Sequence, residues 1–316
     1  MRAATALAAF AILLAACGGG ETVDTEAPVA APLPTVAPTT APPATDPPPS
    51  STTTEAIEAP SVCEQPAVAG FTRLECGPIV YELSVPDACV DSSCGVIVDI
   101  HGRTQTAERA NELTGMREVG NAAGYIVIHP ESPYAAWVDM PREARLIREF
   151  VEEVLDAFGG DRTRVHVGGG SNGGFMTWQF VCDHADLVAS AAPLAAGITC
   201  PFDEEGAPTE EVDVLVFHGT TDTQVQFGAA EAQRSAAVAF WQMDEQDPIA
   251  DEDDYRWFRW VSPTGTELQF VAFEWQGPTG GHCVPGTEGH GGCGGDNPVR
   301  YAEAALAFYE AHPKDG

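Results

Sequence analysis

Lysine is nearly missing from this 316-residue chain. Lys314 is the single one, and Lys and Arg together number 15 against 47 Asp and Glu, a formal net charge of −32. A surface of that sign repels nucleic-acid phosphates and anionic membrane surfaces, so a nucleic-acid role is excluded; it suits solubility in salty or extracellular surroundings. The apolar run "ALAAFAILL" near the N-terminus falls short of the ~20 residues that a membrane-spanning helix needs. No internal repeat is present, and no Cys-x-x-Cys zinc knuckle. Seven carboxylates crowd residues 244–254, but they lack EF-hand spacing and a turn glycine, so this stretch reads as a solvated loop.

What is present begins with an export signal. Met1-Arg2 supplies a short basic start, the apolar run follows, and Leu14-Ala15-Ala16-Cys17 resembles a bacterial lipobox. Residues 1–16 are therefore expected to be a lipoprotein signal peptide and Cys17 the lipidated residue, against an ordinary secretory signal cut near Ala16. Residues 18–60 hold ten prolines among Thr, Ala and Ser. Such a segment cannot bury enough apolar surface to fold, so 17–60 reads as a tether reaching up to ~100 Å at ~3 Å per residue. The expected product is exported and lipid-anchored, with residues 61–316 as a single extracellular or periplasmic domain, expected to act as a monomer.

Eight further cysteines in an exported chain imply disulfides. Local spacing favours Cys63–Cys76, Cys89–Cys94, Cys182–Cys200 and Cys283–Cys293. "HCVPGTEGHGGC" also brings His282, Cys283, His290 and Cys293 close in sequence, the rival reading being a zinc site.

Over residues 61–312, short β-branched runs alternate with longer helical patterns, the signature of a mostly parallel sheet with helices on both faces. "PIVYELSVP" (78–86) alternates like an edge strand, while "CGVIVDIHG" (94–102) and "GYIVIHP" (124–130) suit central strands, with one helical stretch at about 106–122 between them. Residues 141–158 form an amphipathic helix that starts at Pro141 and stops at Gly159-Gly160. Further strands fall at "RVHVGG", "LVASAAP", "VDVLVFHG" and "ELQFVAFEW". Further helices fall at about 173–183, 227–242 and 298–311.

Gly169-Gly170-Ser171-Asn172-Gly173 fits G-x-S-x-G between a strand and a helix. In that setting a serine on a strained turn lifts its Oγ above the sheet, and glycines two residues either side avoid collision with neighbouring backbone. The helix that follows points its positive end at the site. Asp222, just past the end of the 212–219 strand, and His282, in the loop after the last long strand, follow in the order that such a fold requires. Ser171 is thus read as nucleophile, His282 as base and Asp222 as the acid orienting it, with His290 in reserve. The oxyanion hole is assigned to the backbone N–H groups of Asn172 and Arg103; His101 is read as bracing that loop. This chemistry calls for no metal or cofactor.

Together "DIHGRTQTA", "GYIVIHPE", "VHVGGGSNGGFMTW", "VFHGTTDTQV" and "GGHCVPG" resemble the polyhydroxybutyrate depolymerase/feruloyl esterase family of secreted α/β-hydrolases. The resemblance covers roughly residues 75–312. It implies the α/β-hydrolase fold, a Ser171-His282-Asp222 triad, Arg103 in the oxyanion loop, and Gln105 and Trp137 as substrate-binding residues. Two positions depart from the pattern: Arg103 stands where the family often has cysteine, and Val284 where it has tryptophan. The implied substrates are feruloyl or acetyl esters of plant polysaccharide, or hydroxyalkanoate polyester. The alternatives are a lipase or peptidase on the same fold, or a non-catalytic surface-binding lipoprotein. Segments 130–141 and 242–266 are expected to form the cap, and they lack the exposed Leu, Ile and Phe of a lipase lid. Tyr255, Trp257, Phe258 and Trp260 suit either stacking on a planar substrate ring or the packing of an antiparallel strand.

Overall fold

A computed structural model describes Cys63 and residues 68–203, 206–244, 246–294 and 296–314. The expected signal peptide, lipidated Cys17 and tether lie outside the described residues.

Among the described residues, ten strands form one sheet: β1 (Gly70–Cys76), β2 (Ile79–Val85), β3 (Gly95–Ile100), β4 (Tyr125–Glu131), β5 (Val165–Gly170), β6 (Ser190–Leu194), β7 (Asp213–Gly219), β8 (Asp247–Asp251), β9 (Tyr255–Val261) and β10 (Glu267–Phe273). Their order is β1-β2-β4-β3-β5-β6-β7-β10-β9-β8. The six strands from β4 to β10 run parallel, and antiparallel pairs close both ends. The central strands are apolar on both faces because helices cover both. Val96, Val98 and Ile100 join one core, with α3 (Met140–Phe158), α4 (Asn172–Asp183) and α5 (Phe227–Phe240); Ile97 joins the other, with α1 (Ala107–Thr114), α2 (Met116–Ala122) and α6 (Tyr301–Ala311).

Helix α3 shows how the sequence fixes an element. Ile147, Phe150, Val151, Val154, Leu155 and Phe158 recur at helical spacing, and all are buried. Each such side chain contributes roughly 1.5–3 kcal/mol on burial. Pro141 occupies the first turn, and Gly159 ends the helix at φ 60°.

Four sequence expectations change. β2 is not an edge strand, because β1 pairs outside it. The helical stretch at 106–122 is two helices, since Gly115 turns left-handed at φ 67° and caps α1 through its N–H to Asn111 O. The acidic 244–254 stretch is not wholly a loop: Asp247–Asp251 forms the outermost strand, whose carboxylates stay in solvent. Segment 242–266 therefore builds the sheet's end, through β8 and β9, rather than a cap.

The four disulfides are Cys63–Cys76, Cys89–Cys94, Cys182–Cys200 and Cys283–Cys293. The cysteines of the rival zinc reading, Cys283 and Cys293, are thus joined to each other.

Candidate active site

β5 delivers Ser171 at the carboxyl end of the sheet, where its backbone sits at φ 55°, ψ −119°. A non-glycine residue is held there only if its surroundings compel it. The Ser171 N–H donates to Leu194 O at 2.8 Å, tying the turn to β6. A Cβ on Gly173 would overlap the carbonyl of Ile100, so the first turn of α4 packs on β3 only with glycine there.

The three residues that the sequence singles out meet above this turn. Ser171 Oγ lies 2.9 Å from His282 Nε2, and His282 Nδ1 lies 2.7 Å from Asp222 Oδ2. A carboxylate can only accept, so Nδ1 carries the proton and Nε2 accepts from the serine hydroxyl. Asp222 Oδ1 also accepts the N–H groups of Gln224 (2.8 Å) and Val225 (2.9 Å). His218, which the sequence reading did not single out, places Nε2 3.4 Å from Asp222 Oδ2 while donating to Val225 O at 2.9 Å. Asp222 is 7% exposed. Burial works against its charge, but the hydrogen bonds from His218, His282 and Val225 outweigh it and hold the carboxyl well below the usual range. His290 is exposed, and its carbonyl accepts from Arg109. It is His282, not His290, that touches Ser171 and Asp222.

The loop after β3 has one amide left over. Gly102 N–H donates to Gln105 Oε1, Thr104 N–H to Ala135 O, and Gln105 N–H to Gly102 O. The Arg103 N–H has no acceptor among the described residues, and neither has that of Asn172 at the start of α4. His101 braces the loop from below: Nδ1 donates to Gly102 O at 2.7 Å and Nε2 accepts the Ser132 N–H at 3.0 Å. Burial pushes this imidazole's pKa down, which favours the neutral form that can do both.

Trp137 departs from expectation. It is 2% exposed and does not line the cavity over Ser171. Its indole donates to His101 O at 2.9 Å, and its backbone N–H donates to the Asn172 side chain at 2.7 Å. It braces the loops around the site and has no surface to offer a substrate. Gln105 does line the cavity. Tyr255, Trp257, Phe258 and Trp260 lie on β9 and not in the cavity wall, which leaves the strand-packing reading; Trp257 donates to Gln269 Oε1 at 2.9 Å.

The cavity itself has a volume of about 770 Å³. Ser171, His282, Arg103 and Asn172 line it beside apolar side chains of Leu113, Phe175, Leu194 and Val284. Val284, at the position where the family pattern has tryptophan, is one of the lining residues.

No protein-family model matches the chain. By sequence it is 29% identical over 237 residues to "Putative esterase NocK" of Nocardia uniformis subsp. tsuyamanensis, covering 68% of this chain and 62% of that protein. It is 33% identical over 115 residues to poly(3-hydroxyalkanoate) depolymerase C of Paucimonas lemoignei, covering 32% and 28%. It is 30% identical over 116 residues to acetylxylan esterase A of Emericella nidulans, covering 33% and 38%. The chain thus spans less than two thirds of the length of each. Among solved structures, the acetyl xylan esterase of Aspergillus awamori superposes with a TM-score of 0.58 over 77% of this chain and 99% of that one, at 16% identity. The chain has the α/β-hydrolase fold, and its relatives by sequence carry the names of the esterases and depolymerases that its motifs resemble.

Proposed function

We propose that this chain is a serine hydrolase of carboxylic esters working through an acyl-enzyme. The observation that carries the reading is the continuous chain Ser171 Oγ, His282, Asp222, joined at 2.9 and 2.7 Å. In the first half-reaction, Ser171 Oγ attacks the ester carbonyl as its proton passes to His282 Nε2. Negative charge gathers on the former carbonyl oxygen, where the free N–H groups of Arg103 and Asn172 and the positive end of α4 favour it. Collapse breaks the bond to the alcohol oxygen, which leaves with the proton from His282. Water then enters, gives its proton to His282 and attacks the acyl carbon; the acid is released and Ser171 regains its proton. Asp222 stays ionised throughout and steadies the imidazolium.

The relatives' names favour an acetyl ester of polysaccharide or a hydroxyalkanoate polyester as substrate class; the feruloyl ester rests on the motif resemblance, and the roomy, part-apolar cavity has space for it. Export belongs to the same reading and draws support from the four disulfides, which persist in oxidising spaces. A lipid on Cys17 completes it; Cys17→Ser should move the protein from the membrane fraction to the medium. The deciding test is Ser171→Ala on a 4-nitrophenyl short-chain ester. A loss of at least ~10³-fold is expected, and retention of a tenth of the activity would rule out Ser171 as nucleophile.

A further inference from the structure

The wall of the cavity over Ser171 differs in charge from the rest of the molecule. The chain carries 47 Asp and Glu, yet among the described residues no carboxylate lines this cavity. Its charged and titratable groups are Arg103 and Arg109, with His282 and His290 beside them. Arg109 is fixed in place by Glu112 at 2.6 Å and by the carbonyl of His290. Arg103 is exposed and has no carboxylate within ion-pair distance among the described residues. Arg73, Arg117, Arg148 and Arg259 each sit on one or two carboxylates. Arg142, Arg164, Arg234 and Arg256 also have no ion pair among the described residues, but none of them lines the cavity; Arg103 alone joins an exposed guanidinium without a carboxylate partner to a place in the wall over Ser171.

We propose that the site selects esters bearing a free carboxylate near the scissile bond, with Arg103 as the residue that binds it. The proposal rests on the esterase reading above and adds a substrate class to it. The guanidinium fork matches a carboxylate with two parallel hydrogen bonds. The hydrocarbon body of such a ligand would lie against Leu113, Phe175, Leu194 and Val284. Repulsion from the −32 body does not cancel this contact, because charges beyond about 8 Å are screened at physiological salt. The carboxylate is a spectator, and the bonds made and broken are those of ester hydrolysis.

Two pairs of isosteric esters test it at pH 7.5. Monomethyl glutarate and methyl glutaramate differ in a charge on the acyl side; 4-acetoxybutanoate and 4-acetoxybutanamide differ in a charge on the alcohol side. The charged member should win by about tenfold or more in kcat/KM in one pair or both, mainly through KM, since this contact is made equally in ground and transition states. Which pair shows it tells whether the carboxylate enters with the acid or with the alcohol. Arg103→Gln should bring the ratio close to one and Arg103→Lys should keep part of it. If a variant does not fold, the wild-type ratio decides alone. Turnover without preference, or a preference that survives Arg103→Gln, overturns the proposal and leaves the esterase reading standing. No turnover of any of the four sinks both.

Discussion

The hydroxyl of Tyr301, on the last helix, accepts the N–H of Gly169 at 3.0 Å, two residues before Ser171. The same hydroxyl donates to Ala192 O at 2.8 Å. A side chain thereby bridges β5 and β6 just below the turn that holds Ser171. It also accounts for Gly168, which the G-x-S-x-G spacing does not require: a Cβ there would sit 2.6 Å from the Tyr309 hydroxyl and 2.7 Å from that of Tyr301.

Tyr301→Phe should therefore cost about 1–3 kcal/mol of stability, the penalty for stranding buried backbone partners. It should also lower kcat at temperatures where the protein stays folded. Tyr309→Phe is the matched control, because its buried hydroxyl has no hydrogen-bond partner among the described residues. Urea unfolding and kcat on one ester compare them, and equal losses in both variants would show that Tyr301 has no special hold on the turn at Ser171.

The two histidines of the 282–293 loop should separate in function. His282→Ala should cost at least ~10³-fold in kcat, because the triad acts as a unit. His290→Ala should leave kcat within a few-fold, because it is the His282 imidazole that meets both Ser171 and Asp222. The opposite ranking would move the base to His290.

Asp222 links the site to acid stability. Its folded pKa lies below the unfolded value, so its contribution is fully present above the ordinary carboxylate range. That contribution is lost as pH falls from about 4 downward. Asp222→Asn should flatten the stability profile in that window, and it should cut kcat at pH 7 by at least ~10³-fold by allowing the wrong imidazole tautomer. Urea midpoints between pH 5 and 2.5 read the first effect; an unflattened profile would show that the carboxylate is not favoured by folding.

A second acid window opens earlier. His166 is fully buried, and burial drives its pKa down to about 3. A depressed folded value means stability that is present above the unfolded pKa, near 6.5, and lost as pH falls toward 3. His101 and His184 are shifted the same way, chiefly by burial, and add to the slope. His166→Gln should reduce the slope between pH 6.5 and 4 while leaving the Asp222 window in place. A slope that does not change would assign the acid sensitivity elsewhere.

Disulfide Cys283–Cys293 adjoins His282, and the backbone bonds of Val284 with Gly291 and Cys293 close the same loop. Cys283→Ala together with Cys293→Ala should lose kcat more than it raises KM, because the base is no longer held on the serine. Peptide mapping without reductant should find all four pairs in the wild type. A free Cys283 or bound zinc would restore the rival reading of that loop.

The sequence by itself determined the elements whose causes are local. The 3.6-residue spacing of α3, the β-branched runs of β3 and β4, and the glycines at 169 and 173 each follow from neighbours in the chain. Ser171, Asp222 and His282 were legible because the order of strands and loops carries their placement. The tertiary structure decided what depends on contacts between distant segments. No local pattern tells that Tyr301 reaches Gly169 across 132 residues, that Trp137 turns inward onto His101 and Asn172, or that Asp247–Asp251 adds a final strand to the sheet. An aromatic residue or an acidic run has the same sequence signature whether it faces a ligand, a loop or solvent. Only the packing of the folded chain selects among them, through the contacts that bury apolar surface and pair most of the buried polar groups.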